Sequence, residues 1–210
     1  MADDISNKEV TDFSNRLSGL MLHDLASPLG AVANALELVN GSEGVRAEAV
    51  ELLQDAAQDL IARHAFLRVA VAGNRAGSAG DGLAKALGGY VEAREATFDW
   101  QPSTPLPSAE AIQMLALMVG IVARGLGRRD TLIITDTLED RDWVVTVTAE
   151  GRRAKLTEGA EEILTGKANR ASETKDMFAE LLARLLGGDR AALSVVVEEK
   201  KVALTLRQPF

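Results

Sequence analysis

The chain contains no cysteine. That excludes a disulfide framework, a thiolate metal site and a cysteine nucleophile. Aromatic residues are scarce, 4% of 210, so a core drawn from the 47% hydrophobic content must be aliphatic, built mainly from Leu, Val, Ala and Ile. Basic residues are outnumbered, 23 against 31 acidic ones. The resulting net charge of −8 and isoelectric point near 4.9 argue against nucleic acid or an anionic membrane as partner. No apolar run approaches the roughly 20 residues needed to cross a bilayer. The opening MADDISNKEV is acidic and polar, unlike a secretory signal. These absences predict a soluble, cytoplasmic protein.

What is present begins with helical periodicity. Residues 8–40 and 44–73 read as two long helices. In the first, Leu22, Leu25, Leu29, Val32, Leu36 and Val39 recur at alternating spacings of three and four, a heptad stripe, and Leu17 and Met21 widen it. The second repeats the pattern more loosely through Ala49, Leu52, Leu53, Ala56, Leu60, Leu67 and Ala70. The link NGSEG between them forces a turn, which predicts an antiparallel hairpin. A lone hairpin cannot bury stripes this wide. Two hairpins face to face can, as a four-helix bundle, so a homodimer is expected. The alternative is a hairpin packed onto its own C-terminal domain.

AGNRAGSAGDG, residues 72–82, is the best candidate linker. It divides an expected helical-hairpin domain, 1–75, from a second domain, 80–210, of mixed pattern. There a helix capped by Asp81, a short strand at 96–101 and an apolar helix at 109–126 precede two strands, DTLIITDT and DWVVTVTAE. Helices at 157–165 and 172–187 and a second hairpin, LSVVVEE with KVALTLRQ, complete it. The fold class is therefore α+β, a helical hairpin followed by an α/β sandwich. The acidic run DTLEDRD lacks the spacing of a calcium loop and reads as a hairpin turn.

The stretch HDLASPLG, 23–30, holds one of only two histidines and a proline inside a predicted helix. On a wheel of ~100° per residue, His23 lies roughly 150° from the centre of the stripe. It shares its side with Arg16, Gly19, Ser27, Gly30 and Asn34, which leave room for an approaching partner. The plain reading is an ordinary surface histidine. Pro28 argues otherwise, because proline inside a helix costs about 3 kcal/mol and removes a hydrogen bond, so its retention suggests a purposeful bend or loosened backbone. The other histidine, His64, sits mid-way along the second helix beside Arg63 and reads as a solvated or interhelical structural residue. Two histidines on different helices without matching spacing make a poor metal site.

The run His23-Asp24-Leu25-Ala26-Ser27-Pro28-Leu29 resembles the phosphoacceptor box of the bacterial histidine kinases, and it stands early on the first of two antiparallel helices, as it does in that family. The resemblance implies that His23 accepts the phosphoryl group and that Asp24 orients the imidazole and assists proton transfer. It also implies that Ser27 touches a partner domain and that Pro28 permits a bend. A neutral imidazole suits the task, since its unperturbed pKa is about 6.5. Transfer of this kind is mostly positioning and charge neutralisation.

The nucleotide boxes of that family are another matter. Its Mg–ATP asparagines should fall within AIQMLALMVGIVARGL, 111–126, which has none. Its Asp-x-Gly-x-Gly box should follow WVVTVTAE, where GRRAKLTEG stands instead. GLGRRD and LLGGDR each follow a helix and read as caps rather than phosphate loops. The whole chain is thus similar to the dimeric histidine phosphotransferases of the ChpT type, in which a kinase-like ATP-binding domain is degenerate; Gly30, Asn34 and Leu36-Glu37-Leu38 extend the match. The resemblance implies a phosphorelay carrier without intrinsic kinase activity, moving a phosphoryl group from the receiver domain of a hybrid kinase to that of a response regulator. No ATP, other cofactor or resident metal is expected, Mg²⁺ being supplied by the receiver. Arg16, Gly19, Ala26, Ser27 and Gly30, all within about two turns of His23, are the expected docking surface, with Met21 and Leu22 divided between that surface and the core. Two alternatives remain open: an ATP-dependent kinase with an atypical nucleotide site, and an adaptor that binds receivers without transferring phosphate.

Overall fold

A computed structural model describes residues 2–40, 46–73, 81–187 and 189–210. Most of the expected turn NGSEG and of the expected linker AGNRAGSAGDG lies outside the described residues. The chain divides into two compact units, Met1–Ala65 and Phe66–Phe210.

The first unit holds α1, Ala2–Val39, and most of α2, Arg46–Ala72. At 1.5 Å per residue, the 38 residues of α1 span about 57 Å. Pro28 does not end it; the helix runs on through the proline. Arg63 on α2 reaches the backbone of Asp24 on α1. Each lies a similar number of residues from the link between the helices, so the two helices are antiparallel, as the short link predicted. The α1 residues buried within this unit are Leu20, Asp24, Pro28 and Ala35, facing Ala49 and Ala56 of α2. The heptad stripe lies on a neighbouring face, and its Leu22, Leu29 and Leu36 stay exposed.

The second unit begins with the last turns of α2, where Phe66, Leu67, Val69 and Ala70 are buried. It continues with α3 (Asp81–Glu92), β1 (Thr97–Trp100), α4 (Ala109–Ala123), β2 (Thr131–Glu139), β3 (Asp142–Glu150), α5 (Glu158–Leu164), α6 (Met177–Leu185), β4 (Leu193–Glu198) and β5 (Lys201–Pro209). The five strands form one mixed sheet in the order β1-β2-β3-β5-β4, with β1 parallel to β2 and every other pair antiparallel. A two-residue turn at Asp140 and Arg141, both at positive φ, joins β2 to β3. This is the hairpin geometry expected of DTLEDRD.

Alternation along β3 aims Trp143, Val145, Val147 and Ala149 inward, the last three in register with Leu206, Leu204 and Val202 of β5. Against this layer lies α4, buried almost all round and capped by Ser108, whose hydroxyl accepts from the Ala111 amide at 3.0 Å. Three of the aromatics gather in this core. Phe66 stacks on Tyr90 with centroids 3.7 Å apart and meets Phe178 edge-on at 5.7 Å. Gly120 of α4 lies under the same group, where a Cβ would come within 2.8 Å of both Phe66 and Phe178. The fold is α+β: two long helices, then a sheet with helices packed on it.

The helix expected at 172–187 begins later than its sequence suggests. A 3-10 turn at Thr174–Asp176 precedes α6. Buried Asp176 accepts a hydrogen bond from Thr157, the residue that caps α5. One carboxylate thereby ties the starts of two helices together.

Candidate functional site

His23 stands on α1 between two buried neighbours in sequence space, Leu20 and Asp24, yet 79% of its own side chain is exposed. The helical repeat explains the contrast, because one residue's step turns the side chain by ~100°. Leu20, Asp24 and Pro28 follow one another at intervals of four and turn towards α2, while His23 turns away. Asp24 is 4% exposed, and its Oδ1 lies 3.7 Å from Nδ1 of His23. That is longer than a hydrogen bond and close enough for a charge to act on the ring. The opposite ring nitrogen, Nε2, is the one directed away from this carboxylate.

The expected docking residues all lie on α1 with His23. Gly19, Ala26, Ser27 and Gly30 are all exposed. A Cβ added at Gly19 or Gly30 would meet nothing within 4 Å. Arg16 is half-buried and hydrogen-bonds Asp12 one turn earlier, Nε to Oδ2 at 2.8 Å. Leu22 is exposed and Met21 half-buried. His64 is exposed. Among the described residues no three His, Asp or Glu side chains gather into a group that could hold a metal ion. No described helix is long and apolar enough to cross a membrane.

Arg63 has a place in this site that its sequence neighbourhood did not suggest. Its Nη1 donates to the main-chain carbonyl of Asp24 at 3.4 Å, and its Nε donates to Asp59 at 2.7 Å. The signal lay in Pro28: the residue four before a helical proline keeps a carbonyl without its usual amide donor, and that residue is Asp24.

In the second unit, the segments expected to correspond to nucleotide boxes meet each other. Gly125 after α4 approaches Lys155 after β3 so closely that a Cβ would fall 1.7 Å from the Lys155 carbonyl oxygen. Buried Asp130 accepts from the amides of Gly127, Arg152 and Arg153 at 2.8, 3.0 and 3.2 Å. The Arg152 and Arg153 amides of the GRRAKLTEG segment are therefore engaged by a carboxylate of the protein itself. Arg124, Arg152, Arg153 and Lys155 line an open pocket beside this junction.

A second buried carboxylate, Asp136 on β2, collects the Ser103 and Thr104 amides, the Thr104 hydroxyl and Trp143 Nε1. Burial pushes its pKa up, but these hydrogen bonds outweigh burial and hold it below the ordinary value of 3.8. It anchors the loop after β1.

Against known proteins, the family described as the histidine phosphotransferase C-terminal domain matches residues 81–201. The protein phosphotransferase ChpT of Brucella abortus (strain 2308) is 28% identical over 162 residues, covering 75% of this chain and 76% of that protein. A solved bacterial phosphotransferase superposes with a TM-score of 0.76 at 23% identity, over 93% of this chain and 95% of the other.

Proposed function

The chain belongs to the histidine phosphotransferase family, and on that footing we propose that His23 is its phosphoacceptor, carrying a phosphoryl group between aspartates of two receiver domains. The observation that supports this most is the exposed imidazole beside a buried carboxylate. Asp24 near Nδ1 favours the ring form protonated on that nitrogen and leaves the Nε2 lone pair outward. In the forward step Nε2 attacks the phosphorus of a receiver's aspartyl phosphate. The new N–P bond forms as the P–O bond to the aspartate breaks, and that carboxylate departs with the bonding electrons. The ring, now positive, keeps its Nδ1 proton next to the Asp24 carboxylate, which offsets the charge. Delivery reverses these events, with a second receiver's carboxylate attacking phosphorus and the imidazole leaving.

The receiver is expected to supply Mg²⁺ and to dock over Arg16, Gly19, Ala26, Ser27 and Gly30. Nucleotide has no part in this reading. It draws support from Asp130, which places negative charge on amides that a phosphate would otherwise want. The active form is a homodimer, a reading supported by the exposed Leu22, Leu29 and Leu36 on one side of α1, 71%, 57% and 45% open.

Incubation with a phosphorylated receiver domain should move label onto the chain in acid-labile form, and His23→Ala should abolish it while leaving the circular dichroism melt unchanged. Label retained by that variant, or label acquired from ATP by the wild type, overturns the proposal. Receiver binding without transfer would leave an adaptor.

A further inference from the structure

Pro28 creates a vacancy in the hydrogen-bond ladder of α1 at one specific atom. A helical amide donates to the carbonyl four residues earlier, and proline has no amide hydrogen, so the Asp24 carbonyl loses its ordinary donor. That carbonyl belongs to the residue directly after His23, and the same residue carries the carboxylate beside the imidazole. The donor that reaches it comes from the other helix, the Nη1 of Arg63 at 3.4 Å.

Two further observations make this contact directed. Arg63 is mostly buried, 17% exposed, so its guanidinium is not sampling solvent. Its Nε is held by Asp59 one turn earlier at 2.7 Å, which fixes the plane of the guanidinium while Nη1 donates to α1. An arginine fork suits the task because one edge can be anchored while the other donates; a lysine offers a single point of charge.

We propose that Arg63 is a positioning residue for the phosphoacceptor: aligned by Asp59, it occupies the carbonyl that Pro28 releases, and so holds the Asp24 peptide and its carboxylate in one orientation beside His23. The proposal rests on the reading of His23 as phosphoacceptor. It explains why a proline can be kept next to the reactive ring. The proline removes a local hydrogen bond, and the structure replaces it with one from the second helix, so the geometry at His23 depends on α2 being in place.

The test exploits the fact that Pro28→Ala returns the missing amide. In the full-length chain labelled with ¹³C and ¹⁵N, Arg63→Met should move the Asp24 carbonyl carbon resonance and the His23 ring-nitrogen resonances. Arg63→Lys should move them less, and Pro28→Ala combined with Arg63→Met should return them towards wild type. With potassium phosphoramidate as donor, which needs no docking, the rate of phosphohistidine formation should fall about 10-fold in Arg63→Met and recover in the double variant, the size expected for a modestly misplaced reacting group. Unchanged Asp24 and His23 resonances in Arg63→Met overturn the proposal, as does a double variant no better than the single one. A wild type that forms no phosphohistidine with either phosphoramidate or a phosphorylated receiver defeats the reading of His23 instead, and the resonances then still decide whether Arg63 holds the Asp24 peptide.

Discussion

Buried carboxylates carry much of the detail in this molecule, and each is used differently. Asp24 flanks an exposed ring, Asp130 closes a loop junction, Asp176 links two helix starts, and Asp136 gathers donors from a loop and a tryptophan. Because the Asp136 pKa is lowered on folding, its stabilising contribution is present above the unfolded value near 3.8 and is lost as pH falls through the lower folded value. Asp136→Asn should therefore cost about 1–3 kcal/mol at pH 7, the usual penalty for leaving buried donors poorly matched. It should also flatten the loss of stability below pH ~4. Urea titrations of both forms at pH 7 and pH 3 measure the difference. The last three of these partnerships were not legible in the sequence, since each depends on contacts made only by the fold, whereas Asp24 stands next to His23 in the chain itself. His23 was legible, because a motif and a helical wheel are local. Arg63 stood between the two cases: Pro28 pointed to the Asp24 carbonyl, but nothing local said which side chain would answer it.

At the scale of elements, α1 has two apolar faces a quarter-turn or more apart. One is buried against α2 through Leu20, Pro28 and Ala35; the other carries Leu22, Leu29 and Leu36 and remains open in the single chain. The heptad spacing revealed the second face more clearly than the first, since Asp24 and Pro28 interrupt the buried side with residues that read as polar or helix-breaking. Leu29→Glu should convert a homodimer to monomer in sedimentation velocity while the far-ultraviolet circular dichroism stays the same, because it alters only the open face. Strand positions were legible because alternation and a two-residue turn mark them locally. The delayed start of α6 was not, because a side chain from the start of α5 sets it. Within α4, Gly120→Ala should destabilise the second unit by about 1–3 kcal/mol, the common cost of overpacking. The added methyl would press on two aromatic rings that already touch. Thermal melts of the variant settle the size.

For the molecule as a whole, the division into compact units falls between Ala65 and Phe66, within α2. Which unit a residue joins depends on which side chains share its core. Phe66 belongs to the aromatic group with Tyr90 and Phe178. A fragment spanning 66–210 should accordingly be more stable than one spanning 81–210 by about 3–5 kcal/mol, the range for deleting a buried phenylalanine, as compared by guanidinium titration of the two.

Among the described residues, the His23 side chain is 79% open to water. If His23 carries the phosphoryl group as proposed, that group would stay exposed to hydrolysis between donor and acceptor. The carrier would keep no clock of its own: the duration of a signal would be set by how soon the next receiver arrives.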